Sequence, residues 1–281
     1  MNRAEVHRVI VTAYGCCVAV DLPRSLTPSL SAAMPPGYSI HVDGPVPQRL
    51  WSMSFASDGS LQAFAEGGVL VTDPDVSLVR DVLVSDLELW VAEHSPERVF
   101  VHAGCVAIGD RAIVLPGRSM AGKSTLVEAL TLAGATYFSD EYALIDSQGF
   151  VWPYARPLSI RPADGGRQRR LPLSELGGSV GHTPARVALI CNLRYDPEGA
   201  WEVREVRQGE AVLSLIDNAV AARRSPEAVL TALVAATEGV TAIRGTRDDA
   251  GFAARRLLDF GRALQPPIDP SQGFPFVGSA I

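Results

Sequence analysis

Three observations predict an α/β fold. Short runs rich in β-branched and aromatic residues alternate with longer helical patterns through the 281 residues. A glycine-rich stretch, Gly117-Arg118-Ser119-Met120-Ala121-Gly122-Lys123-Ser124, joins an apolar strand-like run, Ala112 to Leu115, to a helix-like run, Thr125 to Leu132. An acidic pair, Asp140-Glu141, then ends the next strand-like segment.

The composition, 47% hydrophobic and 20% charged, is that of a globular chain able to bury a sizeable core. A net charge of −6 excludes general affinity for nucleic acid, which needs an excess of Lys and Arg. Cys16, Cys17, Cys105 and Cys191 have neither metal-ligand spacing nor the density of a disulfide scaffold, so a reducing, cytoplasmic setting is expected. No apolar stretch reaches bilayer length, and no membrane partner is expected. Arg3 and Arg8 precede an apolar run, Val9 to Val20, which reads as a β-strand rather than a signal peptide because it is β-branched and lacks a small-residue cleavage site.

From the N-terminus, strands are expected at Val9 to Val20, Tyr38 to Val42, Leu50 to Phe55 and Gly68 to Thr72, followed by a helix from Val76 to Ala92. Its core stripe reads Leu78, Val82, Leu83, Leu87, Leu89 and Trp90. These elements form a small α/β N-terminal module over residues 1–95. A second unit, residues 96–264, opens with a buried strand from Val99 to Ile108, a turn at Gly109-Asp110-Arg111 and the strand entering the glycine-rich loop. The helix after the loop ends near Gly134, and a strand from Thr136 to Ser139 returns beside the strand that enters the loop. Pro153, Pro157 and Pro162 break the chain into extended pieces, and residues 162–184 read as a mobile surface loop. A strand from Arg186 to Leu193, helices over Gly209 to Ala222 and Pro226 to Thr237, a strand from Val240 to Arg244 and a helix from Asp248 to Leu264 complete the unit. Residues 265–281, rich in Pro, Gly and Ser, form a flexible tail.

The loop is a complete Gly-x-x-x-x-Gly-Lys-Ser phosphate loop, or Walker A sequence. Its backbone N–H groups suit phosphate oxygens, Lys123 the β/γ charge and Ser124 a Mg²⁺ ion, so Gly117 through Thr125 form the candidate ATP-binding set. Asp140 lies 17 positions beyond Lys123, which leaves room for one helix and one returning strand. Of this acidic pair, one carboxylate can hold Mg²⁺ and the other can accept a proton from an attacking hydroxyl. His102 could reach the same edge, or it could be a satisfied core residue. Arg156 and Arg161 flank an extended Pro157-Leu-Ser-Ile segment, and Arg161 is the candidate cation for a phosphoryl group in transfer. Arg167, Arg169 and Arg170 either serve the same charge or form a solvated face. Neither a Leu-Ser-Gly-Gly-Gln segment of transporter ATPases nor an Asn-Lys-x-Asp guanine motif is present.

His102 on a strand, the 117–124 loop, a short helix, Gly134 and the pair Asp140-Glu141 resemble, in order and spacing, the catalytic domain of HPr kinase/phosphorylase. The resemblance is strongest over about residues 98–162. It implies a core of the HPr kinase and phosphoenolpyruvate carboxykinase type. Asp140 matches the proton-accepting carboxylate, Glu141 and Ser124 the metal-binding groups, and His102 the histidine near the reacting phosphate. Glu141 stands where a second Asp is more usual. No arginine-bearing signature follows residue 141, so the resemblance is to a divergent relative rather than the HPr enzyme itself. The implied activity is an ATP- and Mg²⁺-dependent kinase acting on a hydroxyl, a serine of a protein or peptide by analogy. The alternatives are a small-molecule kinase or an ATP-binding regulatory module with little turnover. Homo-oligomers are a further expectation from the family.

Overall fold

The computed structural model describes residues 6–117, 121–160 and 169–263. Strands β1 (Val6–Ala13) and β2 (Cys16–Pro23) form an antiparallel hairpin. The single strand expected over Val9 to Val20 is therefore two. Tyr14 (φ 49°) and Gly15 (φ 78°) both take the left-handed conformation that a two-residue turn between twisted strands requires. Apolar residues on both sides of that turn hid the reversal, since Val9, Val11, Val18 and Val20 all face one core.

Helix α1 (Thr27–Ala33), with Pro28 in its first turn, was not anticipated. Strands β3 (Ser39–His41), β4 (Leu50–Phe55), β5 (Leu61–Ala65) and β6 (Gly68–Asp73) complete a six-stranded sheet ordered β3-β1-β2-β4-β5-β6. Strand β5, also unforeseen, points Leu61, Ala63 and Ala65 into the core at the alternating period of a half-buried strand. Helix α2 (Val76–His94) starts where the Asp75 carboxylate accepts the Ser77 and Leu78 N–H groups at 2.9 and 3.4 Å. It packs Val79, Leu83, Leu87, Trp90 and Val91 against this sheet. Leu78 and Leu89 of the expected stripe are instead exposed, and Glu88 is buried at 3% exposure.

The second sheet begins with the hairpin of β7 (Val99–Ile108) and β8 (Arg111–Pro116). There follow α3 (Lys123–Leu132), β9 (Thr136–Ser139), β10 (Tyr142–Ile145) and β11 (Phe150–Trp152). A separate two-stranded ribbon pairs β12 (Leu158–Ile160) with β13 (Arg169–Leu171). Then come β14 (Ala185–Tyr195), β15 (Glu202–Val206), α4 (Gln208–Ile216), α5 (Pro226–Thr237), β16 (Thr241–Arg247) and α6 (Ala250–Ala263). The strand order is β11-β10-β7-β8-β14-β16-β15, with β9 also on β7. Strands β8, β14 and β16 are parallel. Helices α4 and α5 cover one face of the sheet and α3 and α6 the other.

Several expectations change here. Strand β9 returns beside β7, not beside β8. The described part of the expected mobile loop, residues 169–184, is tied down: β13 pairs with β12, and Leu171 and Leu176 enter the core under α3. The helix expected over Gly209 to Ala222 stops at Ile216, and a separate short helical turn spans Val220–Arg223. The tail from residue 265 lies outside the described residues. No described helix is long and apolar enough to cross a membrane.

The two sheets meet at an aromatic cluster. Phe100 of β7, fully buried, has its ring 5.3 Å from Tyr14, 5.6 Å from Tyr142 and 6.0 Å from Tyr154, each edge to face. Phe100→Ala is expected to lower unfolding free energy by about 3–5 kcal/mol in a denaturant titration, with Phe100→Leu costing much less.

Candidate active site

The position of the acidic pair follows from the pairing of β7. Along one side, β7 pairs with β9 through Ala107↔Thr136 to Cys105↔Ser139, then with β10 through His102↔Tyr142 to Val99↔Ile145. The ladder is broken between these two segments, at Asp140-Glu141. On the other side of β7, Ala103 pairs with Pro116, the last residue before the glycine-rich loop. The acidic pair and the start of the loop therefore flank the same stretch of β7. Since β9 and β8 both run antiparallel to β7, they end at the same edge of the sheet. In α/β sheets ligands bind at such carboxyl-terminal edges.

Of the expected loop set, Gly117 and Ala121 through Thr125 are described, whereas Arg118, Ser119 and Met120 lie outside the described residues. Gly122 precedes α3 at φ 77°, and among the described residues no side chain caps the helix. The positive dipole end of α3 thus suits an anion. Arg247, buried at the end of β16, donates to the Gly122 carbonyl at 2.7 Å and fixes the backbone where loop becomes helix. Burial lowers its pKa. The Lys123 ammonium donates to the Gly117 carbonyl at 2.6 Å, folding the side chain back along the loop. Burial lowers the Lys123 pKa, opposed by Asp140 and Glu141.

The Ser124 hydroxyl donates to Asp140 Oδ2 at 2.7 Å, so the loop end and the acidic turn are in direct contact. Asp140 Oδ2 also accepts the Ser159 N–H at 3.1 Å. The Tyr137 hydroxyl lies 3.1 Å from Asp140 Oδ1 and 2.9 Å from the Arg156 carbonyl. A carboxylate has about four acceptor positions, so these contacts hold Asp140 in one orientation and leave little capacity unused.

Glu141 turns elsewhere, to the Arg156 guanidinium at 3.0 Å. The same Arg156 nitrogen lies 2.7 and 2.6 Å from the two oxygens of Glu88, which also accepts the Tyr154 hydroxyl. Burial works against the Arg156 charge, but Glu88 and Glu141 outweigh it and raise its pKa. The Glu141 side chain is 46% exposed, yet the protein desolvates its carboxyl enough to raise the pKa. Glu88 adds to that rise and Arg156 opposes it.

His102, opposite Tyr142 in the ladder, has its ring 4.6 Å from that tyrosine. It borders the cavity and is exposed by surface area, but protein crowds the imidazole closely. Desolvation first, and then the charge of Lys123, lowers its pKa.

His102, Lys123, Ser124, Asp140 and Glu141 line one cavity of about 800 Å³, together with Arg156 and Arg170. The candidate Arg161 lies outside the described residues. Ser124 is adjacent to Asp140, whereas Glu141, the expected metal partner of Ser124, is held by Arg156. Among the described residues no group of three or more His, Cys, Asp or Glu side chains forms a metal cage. The hydroxyl and carboxylates still fit Mg²⁺ in its nucleotide-bound form, where phosphate oxygens and water supply most ligands. Sequence reasoning missed Glu88, Tyr137, Ser159 and Arg247. Only Glu88 left a trace, as an acid amid the apolar positions Val84, Leu87 and Val91 of a helix.

No protein-family model and no curated protein sequence matches the chain. Among solved structures, the Hpr(Ser) kinase/phosphatase from Coxiella burnetii aligns over 58% of this chain and 96% of that one, with 15% identity and a TM-score of 0.33. A likeness of that size establishes no family, and the functional reading has to come from the residues.

Glu88→Ala leaves the Arg156 charge without its bidentate partner and is expected to destabilise the protein by about 3 kcal/mol in equilibrium unfolding. A Glu88→Met, Arg156→Met double variant should recover much of that loss. NMR titration of His102 should give a midpoint below the ordinary 6.5, and Lys123→Ala should move it upward without abolishing the shift caused by desolvation. The sign for stability follows: the folded state disfavours imidazolium, so this group's contribution is complete above about 6.5 and is lost as pH falls toward the lowered value.

Proposed function

We propose that the cavity binds a Mg²⁺-nucleoside triphosphate, ATP in the first instance, and transfers its γ-phosphoryl group to a hydroxyl acceptor. The observation that carries this reading is the 2.7 Å contact of Ser124 with Asp140, at the start of a helix whose first residue is Lys123. It brings an anion-binding backbone, a cation and a buried carboxylate to one cavity wall, the set that phosphoryl transfer requires.

In the proposed reaction the N–H groups at the start of α3 bind phosphate oxygens, and Lys123 releases the Gly117 carbonyl to neutralise them. Ser124 and a carboxylate of the acidic pair would hold Mg²⁺, which would supply positive charge against the phosphates. Release of the Ser124 hydroxyl from Asp140 makes one Oδ2 lone pair available. Asp140 then accepts the proton of the acceptor hydroxyl as its oxygen bonds to phosphorus and the bond to the diphosphate oxygen breaks. Tyr137 and Ser159 keep that carboxylate aimed throughout. His102, neutral near pH 7, can donate or accept a hydrogen bond at the reacting phosphate, and Arg156 and Arg170 add positive charge to the wall. The order of His102, loop and acidic turn on one sheet edge supports a core of the HPr kinase type. A serine of a protein or peptide is the proposed acceptor, with a small-molecule hydroxyl as the alternative.

Purified protein incubated with labelled ATP, Mg²⁺ and a panel of serine peptides and small alcohols should transfer label to one of them. Absence of transfer to every hydroxyl, with ATP binding intact, would favour a regulatory nucleotide-binding module. Asp140→Asn is expected to reduce transfer by about 10²–10⁴-fold while nucleotide still binds, and Lys123→Ala to weaken nucleotide binding by about tenfold or more. Full turnover in Asp140→Asn would remove Asp140 as the base.

A further inference from the structure

A second cavity, of about 670 Å³, lies at the carboxyl-terminal ends of β14 and β16. It touches Gly117 and Ala121 of the glycine-rich loop. The two cavities adjoin, because the Gly117 carbonyl at this one accepts a hydrogen bond at 2.6 Å from Lys123 of the other.

The register shows how its floor is built. Asn192 of β14, Arg244 of β16 and Arg204 of β15 are paired in a row, and Arg194, Thr246 and Glu202 form the next row. All six therefore stand on one face of the sheet. Two residues earlier on β14 and β16, and two later on the antiparallel β15, Ile190, Ala242 and Val206 on the same face are apolar and belong to the core that α4 and α5 cover. The face changes from apolar and covered to polar and open at the strand ends, beside the loop. Among the described residues, Asn192, Glu202 and Arg244 have no side-chain hydrogen-bond or ion-pair partner, whereas Arg204 is paired with Glu210 at 3.2 Å. Carboxyl ends of parallel strands are where such sheets bind ligands, and the volume suits a small organic molecule.

The geometry points to this second cavity as the seat of the nucleoside half of the triphosphate, with the phosphates extending into the adjoining cavity of Asp140. This deepens the function proposed above and rests on it. The planar Arg244 guanidinium suits stacking on a base, the Asn192 amide can both donate to and accept from a base edge, and Glu202 can accept from ribose hydroxyls.

Calorimetric titration of the full chain with Mg²⁺-ATP and, separately, with inorganic tripolyphosphate tests the assignment. Asn192→Ala and Arg244→Ala, both at solvent-accessible positions, should each weaken ATP by about tenfold and leave tripolyphosphate within about twofold. Lys123→Ala should weaken both ligands. Unchanged ATP affinity in Asn192→Ala and Arg244→Ala would overturn the nucleoside site while leaving the phosphate-binding reading intact. Equal weakening of tripolyphosphate in Arg244→Ala would also overturn it, since the cavity would then serve anions. Wild-type protein that binds neither ligand would overturn both proposals. Unaltered circular dichroism and thermal midpoint in the two variants would confirm that any loss is local.

Discussion

The break between β9 and β10 is the constraint on which the candidate site depends. Both segments need β7 for their backbone hydrogen bonds, so the chain can leave the ladder only briefly. Ser139, itself buried, makes that departure affordable: its hydroxyl oxygen accepts the N–H groups of Glu141 and Tyr142 at 3.1 and 3.0 Å. Without it, two backbone donors would be left unsatisfied at the edge of a core. The Ala103 N–H meanwhile reaches the Glu141 carbonyl at 3.1 Å, so the turn stays pinned to β7. Two adjacent carboxylates are thereby presented at a sheet edge without loosening the sheet.

The two acids of that turn then receive different surroundings. Asp140 is surrounded by hydroxyl and backbone donors, which orient it without cancelling its charge. Glu141 meets a cation, and through Arg156 it is tied to Glu88 on α2, a helix whose other face packs against the first sheet. The placement of Glu141 therefore depends on elements more than forty residues upstream of it in the chain. The aromatic cluster around Phe100 includes Tyr154, whose hydroxyl donates to the buried Glu88, so an unmatched charge at the Glu88 end of this connection is costly.

Much of this was legible in the residues. The strand, glycine-rich loop and helix announce themselves by local pattern alone, and the short distance from Lys123 to Asp140 forces the two toward one edge. Helices α2, α5 and α6 are all expected from the sequence, α2 from its apolar stripe. Strands β5, β10, β11 and β15 were not, because each is three to five residues long and takes its identity from its neighbours. The reversal at Tyr14-Gly15 was masked by apolar residues that suit one long strand as well as two short ones. Tyr137 and Ser159 entered the site unseen, since a contact between β9 and β12 has no local signature. Which of the paired acids faces Ser124 was likewise settled only by the break in the ladder.

Strand β11 has a partner on each side: it pairs with β10 and, through Phe150↔Arg186 and Val151↔Ala185, with the start of β14. Five strands, β11, β10, β7, β8 and β14, thus close on themselves as a ring at that end of the sheet. A closed ring offers no row of unpaired amides and carbonyls to a stranger chain. The outer strand β15 is lined with Glu202, Arg204 and Glu205, charges that discourage another strand from docking. The half of the molecule that holds the candidate site is in this way guarded against edge-to-edge aggregation.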